Sequence, residues 1–498
     1  MGTLTYNPPV LPSTGAAGNL AQVFRKRHLG LLNEIALIED QRQLTFADFW
    51  RDVDRNSDTL TRKGVKKGHI IAIVCPMSSI EAVEWLMAAI QLGAAPIILN
   101  LADKFQKLQP ADAGAYGFIV SKDIQKFINP ANLEQYAAAD LLSDHLVWHQ
   151  LTGSDQAETT EAALLVTSSG STNHKKIIKY GAEGLLFNIK SNIAALGIRR
   201  EDRTLMVLPL TYSYGLVGQF MSHFLMGSTV VFSNKWLITN TIIELISRHR
   251  INSVFTVPPI FRQMVFLLEK FDFLYRRRYS WSSLRYITVG GNHIESSNIL
   301  KALSIYRCPI VKTFGLAEAG PRVATNIITS ADDPIDAVGY PLNGVHVYAL
   351  GEDGRPVIDG DCGKLVIETP STSLGYLRRH HNGLHIDGRA IYTQDLGSVN
   401  RDGLIRIFGR ADGQLLLPGC EPIWQNELAD LIYANFYVLK LKIEQQEQGQ
   451  LNIEIAPMPN CKIKGEEVLA RIGAQYGDCF LSMVRIAFPK ISQIKLDK

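Results

Sequence analysis

The chain has no long uninterrupted apolar run, no C-x-x-C pair and no large excess of charge of either sign. Its most apolar stretch, Trp85 to Leu99, is interrupted by Gln91, Gly93 and Pro96 and followed by Asn100. It is too short to span a bilayer and reads as a buried helix followed by a strand. A net charge of +3 over 498 residues gives no reason to invoke nucleic acid or a membrane surface. The six cysteines (Cys75, Cys308, Cys362, Cys420, Cys461 and Cys479) are scattered, and no histidine cluster has metal-ligand spacing. This argues against a disulfide frame or a zinc site and fits reduced thiols in a cytoplasmic protein. No basic segment followed by an apolar run opens the chain, so no signal peptide is expected. The start is Met1-Gly2, but Tyr6 occupies the Ser/Thr position of a myristoylation signal. There is no G-x-x-x-x-G-K-[ST] loop, no internal repeat and no low-complexity tract.

What is present is a globular composition, 46% hydrophobic and 20% charged, long enough for two or three domains. Thr45 is a candidate N-cap for a helix over 44–66, with Asp48 at the box position. Strands are expected at Ile70 to Val74, Ala95 to Leu99, Leu205 to Leu208, Ser228 to Phe232, Ser253 to Val257, Arg285 to Val289 and Ile310 to Thr313. Helices are expected between them, at about 79–92 and over 215–226, 238–249, 260–273 and 296–303. This alternation predicts an α/β layered architecture. Beyond about residue 335, alternating segments separated by Glu352-Asp-Gly354 and Arg401-Asp-Gly403 predict an antiparallel β region. A small α+β unit then begins near Asp412, with helices over 425–433 and 465–476, a hairpin turned around Gly449 and a last strand over 484–488.

The run from Thr167 to Lys176, TSSGSTNHKK, packs five hydroxyls, a glycine and two lysines behind the apolar segment Ala163 to Val166. A strand leading into small hydroxylated residues and then lysine can cradle phosphate, through backbone N–H groups, hydroxyls and a point charge. Ser, Thr and Asn are also ordinary turn residues, and on composition alone a polar turn is the better reading. Four further segments shift that balance: 312–318 (KTFGLAE), 392–397 (YTQDLG), 409–412 (GRAD) and 492–498 (SQIKLDK).

In order and spacing these segments resemble the signature motifs of the adenylate-forming superfamily: acyl-CoA synthetases, adenylation domains of peptide synthetases and luciferases. The resemblance extends from Leu44 to Lys498. It implies an α/β fold: a large N-terminal domain (1–411) of layered α/β subdomains plus a β-rich subdomain, then a small mobile α+β C-terminal domain (412–498). It implies ATP and Mg²⁺ as cofactors. Ser169, Gly170, Ser171, Thr172 and Lys176 match the loop that grips the β- and γ-phosphates, while Asn173 and Lys175 replace Gly and Pro. Phe314 and Gly315 match the adenine-stacking segment and Glu318 the Mg²⁺ ligand, with Ala317 in place of Thr. Asp395 would accept the ribose hydroxyls, Arg410 would touch the ribose, and Asp412 would be the hinge. Lys495 would enter the site and bridge the acyl carboxylate and the α-phosphate, with Ile494 in place of Gly. Lys495, Lys176 and Glu318 are thus the catalytic candidates.

The segment Leu208 to Leu216 resembles the acyl-pocket lining, giving Tyr212, Ser213, Tyr214 and Gly215 as substrate-binding candidates, with the pair Gly290 and Gly291 beside them. Amino-acid-activating relatives carry an Asp there for the α-ammonium group; Thr211 to Ser213 offers none. The expected substrate is a small carboxylic acid without that group: aryl, short-chain or hydroxylated. The acceptor implied is CoA or the phosphopantetheine arm of a carrier protein. After the hinge the pattern departs: Leu416 stands at a lysine position and Glu421 at an arginine position. Two other readings stay open on that ground: an adenylating enzyme with an amine acceptor, and a catalytically impaired nucleotide- or acyl-binding paralogue.

Overall fold

The computed structural model describes residues 19–489, apart from 76–77, 101–108, 127, 130–132, 138, 153–157, 168–175, 234–237, 358, 379–383, 412 and 447–448, and the side chains of 478–479. The expected α/β class holds. A nine-stranded sheet runs in the order Tyr340–Pro341, Ala324–Ile328, Ile310–Phe314, Tyr286–Gly290, Ser253–Thr256, Arg203–Leu205, Thr229–Phe232, Ile35–Glu39, Arg42–Thr45. The strands from Ile310–Phe314 to Ile35–Glu39 are mutually parallel, with antiparallel strands at both edges. A seven-stranded sheet holds Ile70–Val74 and Ala95–Leu99 at its centre and ends on the hairpin Leu164–Thr167 with Ile177–Tyr180. All five residues of Ile70–Val74, and of Ala95–Leu99, are buried, as expected for parallel strands covered on both faces. The antiparallel region is a five-stranded sheet of His346–Leu350, Gly363–Glu368, Ala390–Val399, His385–Asp387 and Ile405–Arg410.

Strand order reverses at Arg203–Leu205. Thr229–Phe232 lies on one side of it and Ser253–Thr256 on the other. In an open parallel sheet such a reversal leaves a crevice at the carboxyl ends of the strands. The strand expected over 205–208 is shorter and earlier than its apolar run suggested: it covers Arg203–Leu205, and Met206 N–H makes a last bond to the Val231 carbonyl at 2.8 Å. Pro209, with no N–H to offer a neighbouring strand, follows as the chain leaves the sheet.

The helix expected over 215–226 is also different. Tyr214–Met221 is a π-helix and only Ser222–Met226 is α-helical. Side chains take carbonyls along the wider turns. Ser222 Oγ donates to Val217 O at 3.0 Å and Asn192 Nδ2 to Gly218 O at 2.7 Å. Thr45 caps its helix as expected, and the box closes although Asp48 stands where Glu is usual: Asp48 N–H donates to Thr45 Oγ1 and Thr45 N–H to Asp48 Oδ2, each at 3.1 Å. The helix expected from Ile260 begins at Pro258, where proline's fixed φ suits the first turn, and runs to Arg276 with a kink at Phe271.

The last unit has its own core, including Leu415, Ile432, Ile453, Val468 and Phe480. Its helix Gln425–Asn435 lies against the large unit through polar and aromatic contacts. His293 Nε2 pairs with Asp430 Oδ1 at 2.7 Å, and the Tyr437 ring meets Phe266 edge-on. The Arg262 guanidinium stacks 3.5 Å from the Tyr433 ring centroid. Arg262 is buried and held by Glu295 through Nε and Nη2, at 2.8–3.0 Å. Removing one partner of a buried pair strands the other charge. Glu295→Ala should therefore lower stability by about 3–5 kcal/mol, seen as an earlier urea midpoint in tryptophan fluorescence.

Candidate functional site

Because the parallel strands run the same way, their carboxyl ends share one edge of the nine-stranded sheet. From that edge come Tyr212 to Gly215 after the reversal strand, Gly290 and Gly291 after Tyr286–Gly290, and Phe314 to Glu318 after Ile310–Phe314. The hairpin of the other sheet is tied to the same edge. Thr167 forms a parallel bridge with Tyr212, and its hydroxyl donates to the Thr211 carbonyl at 3.3 Å. Tyr180, on the hairpin's second strand, donates its hydroxyl to the Ala317 carbonyl at 2.5 Å.

Glu318 sits in a single 3₁₀ turn, Ala317–Ala319, and is only 7% exposed. Its Oε1 accepts a hydrogen bond from Tyr376 Oη at 2.8 Å. Lys176, the first described residue after the hydroxyl-rich run, places Nζ 5.5 Å from the Tyr376 ring centroid. One tyrosine thus touches both a cation and a carboxylate. Burial, then the Glu318 charge, push its phenol above the usual range, so it stays a donor at physiological pH. Tyr376 belongs to no motif in the sequence. Its partner is 58 residues away, and nothing in its local spacing marks it.

The glycines are explained by close approach. A Cβ on Gly290 would lie 2.0 Å from Thr313 Oγ1, and one on Gly315 1.7 Å from the Pro321 carbonyl. Gly291 has φ +86°, and its missing Cβ faces the Tyr212 hydroxyl. Gly215 packs inward, against the Pro209 carbonyl. The Tyr214 hydroxyl is held by Thr288 Oγ1 at 2.6 Å and Thr313 Oγ1 at 3.0 Å, and the rings of Tyr212 and Tyr214 meet edge to face.

Asp395 and Arg410 are opposite each other on adjacent antiparallel strands. Their sheet packs Leu365, Ile367, Ile391 and Ile405 into one cluster with Ala319 and Val323, with Phe314 against it, which sets it beside the Glu318 turn. Ser169, Gly170, Ser171, Thr172, Asp412 and Lys495 lie outside the described residues. Among the described residues no group of three or more acidic, His or Cys side chains is placed to hold a metal, and no helix is long and apolar enough to cross a membrane.

A family model described as AMP-binding enzyme matches residues 25–377, well over half of the chain. This chain belongs to that family. Among similar proteins is enterobactin synthase component E of Escherichia coli K12, 24% identical over 443 residues, covering 84% of this chain and 81% of that one. Another is 2-succinylbenzoate–CoA ligase of Bacillus subtilis 168, 23% identical over 404 residues and covering 80% of each. The fold matches the anthranilate CoA ligase AuaEII, in complex with anthranoyl-AMP, with a TM-score of 0.79 at 17% identity, over 95% of this chain and 93% of that one. It also matches o-succinylbenzoate CoA synthetase (MenE) from Bacillus subtilis, in complex with ATP and magnesium, with a TM-score of 0.74 at 19% identity, over 93% and 95%.

The Tyr376–Glu318 bond is the most local test of this geometry. Tyr376→Phe keeps the ring for Lys176 and deletes the donor to a largely buried carboxylate. It should cost about 1–3 kcal/mol in denaturant unfolding, and Glu318→Gln in the same background should recover part of that loss.

Proposed function

We propose that this chain activates a small carboxylic acid as its acyl-adenylate and then passes the acyl group to a thiol. The observation that carries the reading is the joining of Lys176 and Glu318 through Tyr376, at the edge where the strand ends converge. The acid's carboxylate attacks the α-phosphorus of ATP in line, and pyrophosphate leaves. The chain's part is positioning and charge: Lys176 on the phosphates, Lys495 between carboxylate and α-phosphate, Asp395 and Arg410 on the ribose, Phe314 on adenine. The loop residues Ser169, Gly170, Ser171 and Thr172 supply hydroxyls and N–H groups to the leaving phosphates. Tyr212, Ser213, Tyr214, Gly290 and Gly291 border the acid.

Glu318 fits Mg²⁺. It is a carboxylate of low exposure, positioned by one tyrosine, and the described residues build no all-protein cage. Magnesium suits a site of one or two carboxylates completed by phosphate oxygens. When bound there, the ion offsets charge developing on the phosphates.

We further infer that 412–498 acts as a lid that pivots at Asp412, supported by its separate core and its largely polar and aromatic contact with the large unit. The thiol is CoA or a carrier protein's phosphopantetheine. The relative named as a 2-succinylbenzoate–CoA ligase supports a thiol acceptor. The reaction suits the cytoplasm, where ATP and reduced thiols are available, and no disulfide joins the described cysteines.

ATP–pyrophosphate exchange across a panel of carboxylic acids tests the activation step. Exchange with at least one acid is expected; none from folded protein overturns the proposal. Lys495→Ala should cut exchange by at least about 100-fold with ATP affinity little changed. Equal loss of both would remove Lys495 from its assigned role.

A further inference from the structure

Among the described residues of the large unit two arginines are buried, Arg262 and Arg322, and Arg285 is among those half-buried. Arg262 is held by Glu295, and Arg285 by Asp202. Arg322 is different. It is 1% exposed, and Nη2 donates to Thr325 Oγ1 at 2.8 Å, but Nε and Nη1 have no hydrogen-bond partner among the described residues. No carboxylate pairs with it there. A guanidinium out of water and without an anion is costly, and water bridging its N–H groups would not neutralise the charge. Such a group is retained where an anion arrives.

Its position says which anion. The guanidinium carbon lies 5.7 Å from the centroid of the Tyr214 ring, the ring whose hydroxyl is fixed by Thr288 and Thr313. Thr313 fills the space beside Gly290. The stem of Arg322 packs near Gly218 of the π-helix that begins at Tyr214. Arg322 also follows directly on the close approach of Gly315 to the Pro321 carbonyl. Arg322 therefore backs the segments read above as bordering the acid. The other ionisable groups acting on it are the phenols of Tyr214 and Tyr286, both raised by burial and both neutral near pH 7.

We propose that Arg322 recognises a second carboxylate on the acid, making this a dicarboxylate-activating site. The assignment rests on the reading of Tyr214 as a wall of the acyl site. It accounts for two features together: the unpaired guanidinium, and the absence of a carboxylate at Thr211 to Ser213 to receive an ammonium group. A buried cation behind the Tyr214 wall repels an amino acid's ammonium and attracts a second carboxylate.

The test uses matched acids, hexanoate against adipate and benzoate against terephthalate, with the wild-type chain, Arg322→Met and Arg322→Lys. Binding is followed by calorimetry and thermal shift without ATP, and activation by ATP–pyrophosphate exchange. The wild type should prefer the diacid of at least one pair by 10-fold or more. Arg322→Met should lose about 100-fold for that diacid, little for the monoacid, and melt at or above the wild-type temperature. Arg322→Lys should retain part of the preference. Equal binding of monoacid and diacid by the wild type overturns the assignment. So does failure of every diacid to bind, equal loss of both acids in Arg322→Met, or a large fall in its melting temperature, which would mark a structural cation. Diacid binding that depends on Arg322 without exchange would leave the assignment standing and overturn the adenylation reading. Exchange with monoacids, indifferent to Arg322, would do the reverse.

Discussion

The parallel run of strands through the nine-stranded sheet is the constraint on which the rest depends. From Thr229–Phe232 to Ile310–Phe314 each strand is reached by a helical crossover that returns the chain to the same starting side, and Ile35–Glu39 and Arg203–Leu205 run parallel to them, so the carboxyl ends fall on one edge. Segments distant in sequence, at 212–215, 290–291 and 314–318, meet because their strands are neighbours or near neighbours in one sheet. The second sheet could have presented its hairpin anywhere. The bridge of Thr167 to Tyr212 and the bond of Tyr180 to Ala317 fix it to that same edge. The described ends of the hydroxyl-rich run, Thr167 beside Tyr212 and Lys176 beside Tyr376, therefore lie at that edge.

That convergence is possible only because side chains are missing where backbones crowd. Gly290 and Gly315 give up their Cβ atoms to Thr313 and Pro321. The space so made is filled by a hydroxyl series, Thr288, Tyr214 and Thr313, which pins one aromatic ring from two sides. A ring held by two hydrogen bonds in a buried setting acts as a wall and not as a moving cover. The π-turns from Tyr214 onward serve the same end. They let Gly215 pack under Pro209 while Gln219, buried, ties the helix to Thr204 and Leu205 of the reversal strand.

Legibility in the sequence followed the range of the interaction. Fully apolar runs such as Ile70–Val74, and the box between Thr45 and Asp48, are local patterns and were readable as such. The motif residues were readable only as a resemblance to a family pattern: Phe314 ends a strand, Glu318 follows it and Asp395 lies inside another. The strand Ala390–Val399 around Asp395 was not, since bulges beside Leu396 break the alternation that would announce it. Tyr376 and Arg322 carry no local mark at all. What matters about the first is a hydrogen bond to Glu318, and about the second a missing partner, and neither property exists until the chain is folded. The π-helix depends on the Asn192 amide reaching Gly218 from another helix, so its sequence reads as an ordinary α-helix.

The departures after residue 411 take on a physical meaning in the fold. Leu415 and Leu417 face the core of the small unit, while Leu416, between them, is 57% exposed. The backbone there is held by one amide, Gln445, which accepts from Leu416 N–H at 3.0 Å and donates to its carbonyl at 2.6 Å. The side chain at 416 is therefore not needed for the local structure, and the same holds for the exposed Glu421. A leucine kept in water, and an acid in place of a base, contribute nothing to packing, so their identity is free to answer to whatever meets that face. The residues proposed above to activate the acid are set by buried hydrogen bonds and by glycines that sterics require. Leu416 and Glu421, exposed on the small unit, carry no such constraint, so the framework leaves them free to change.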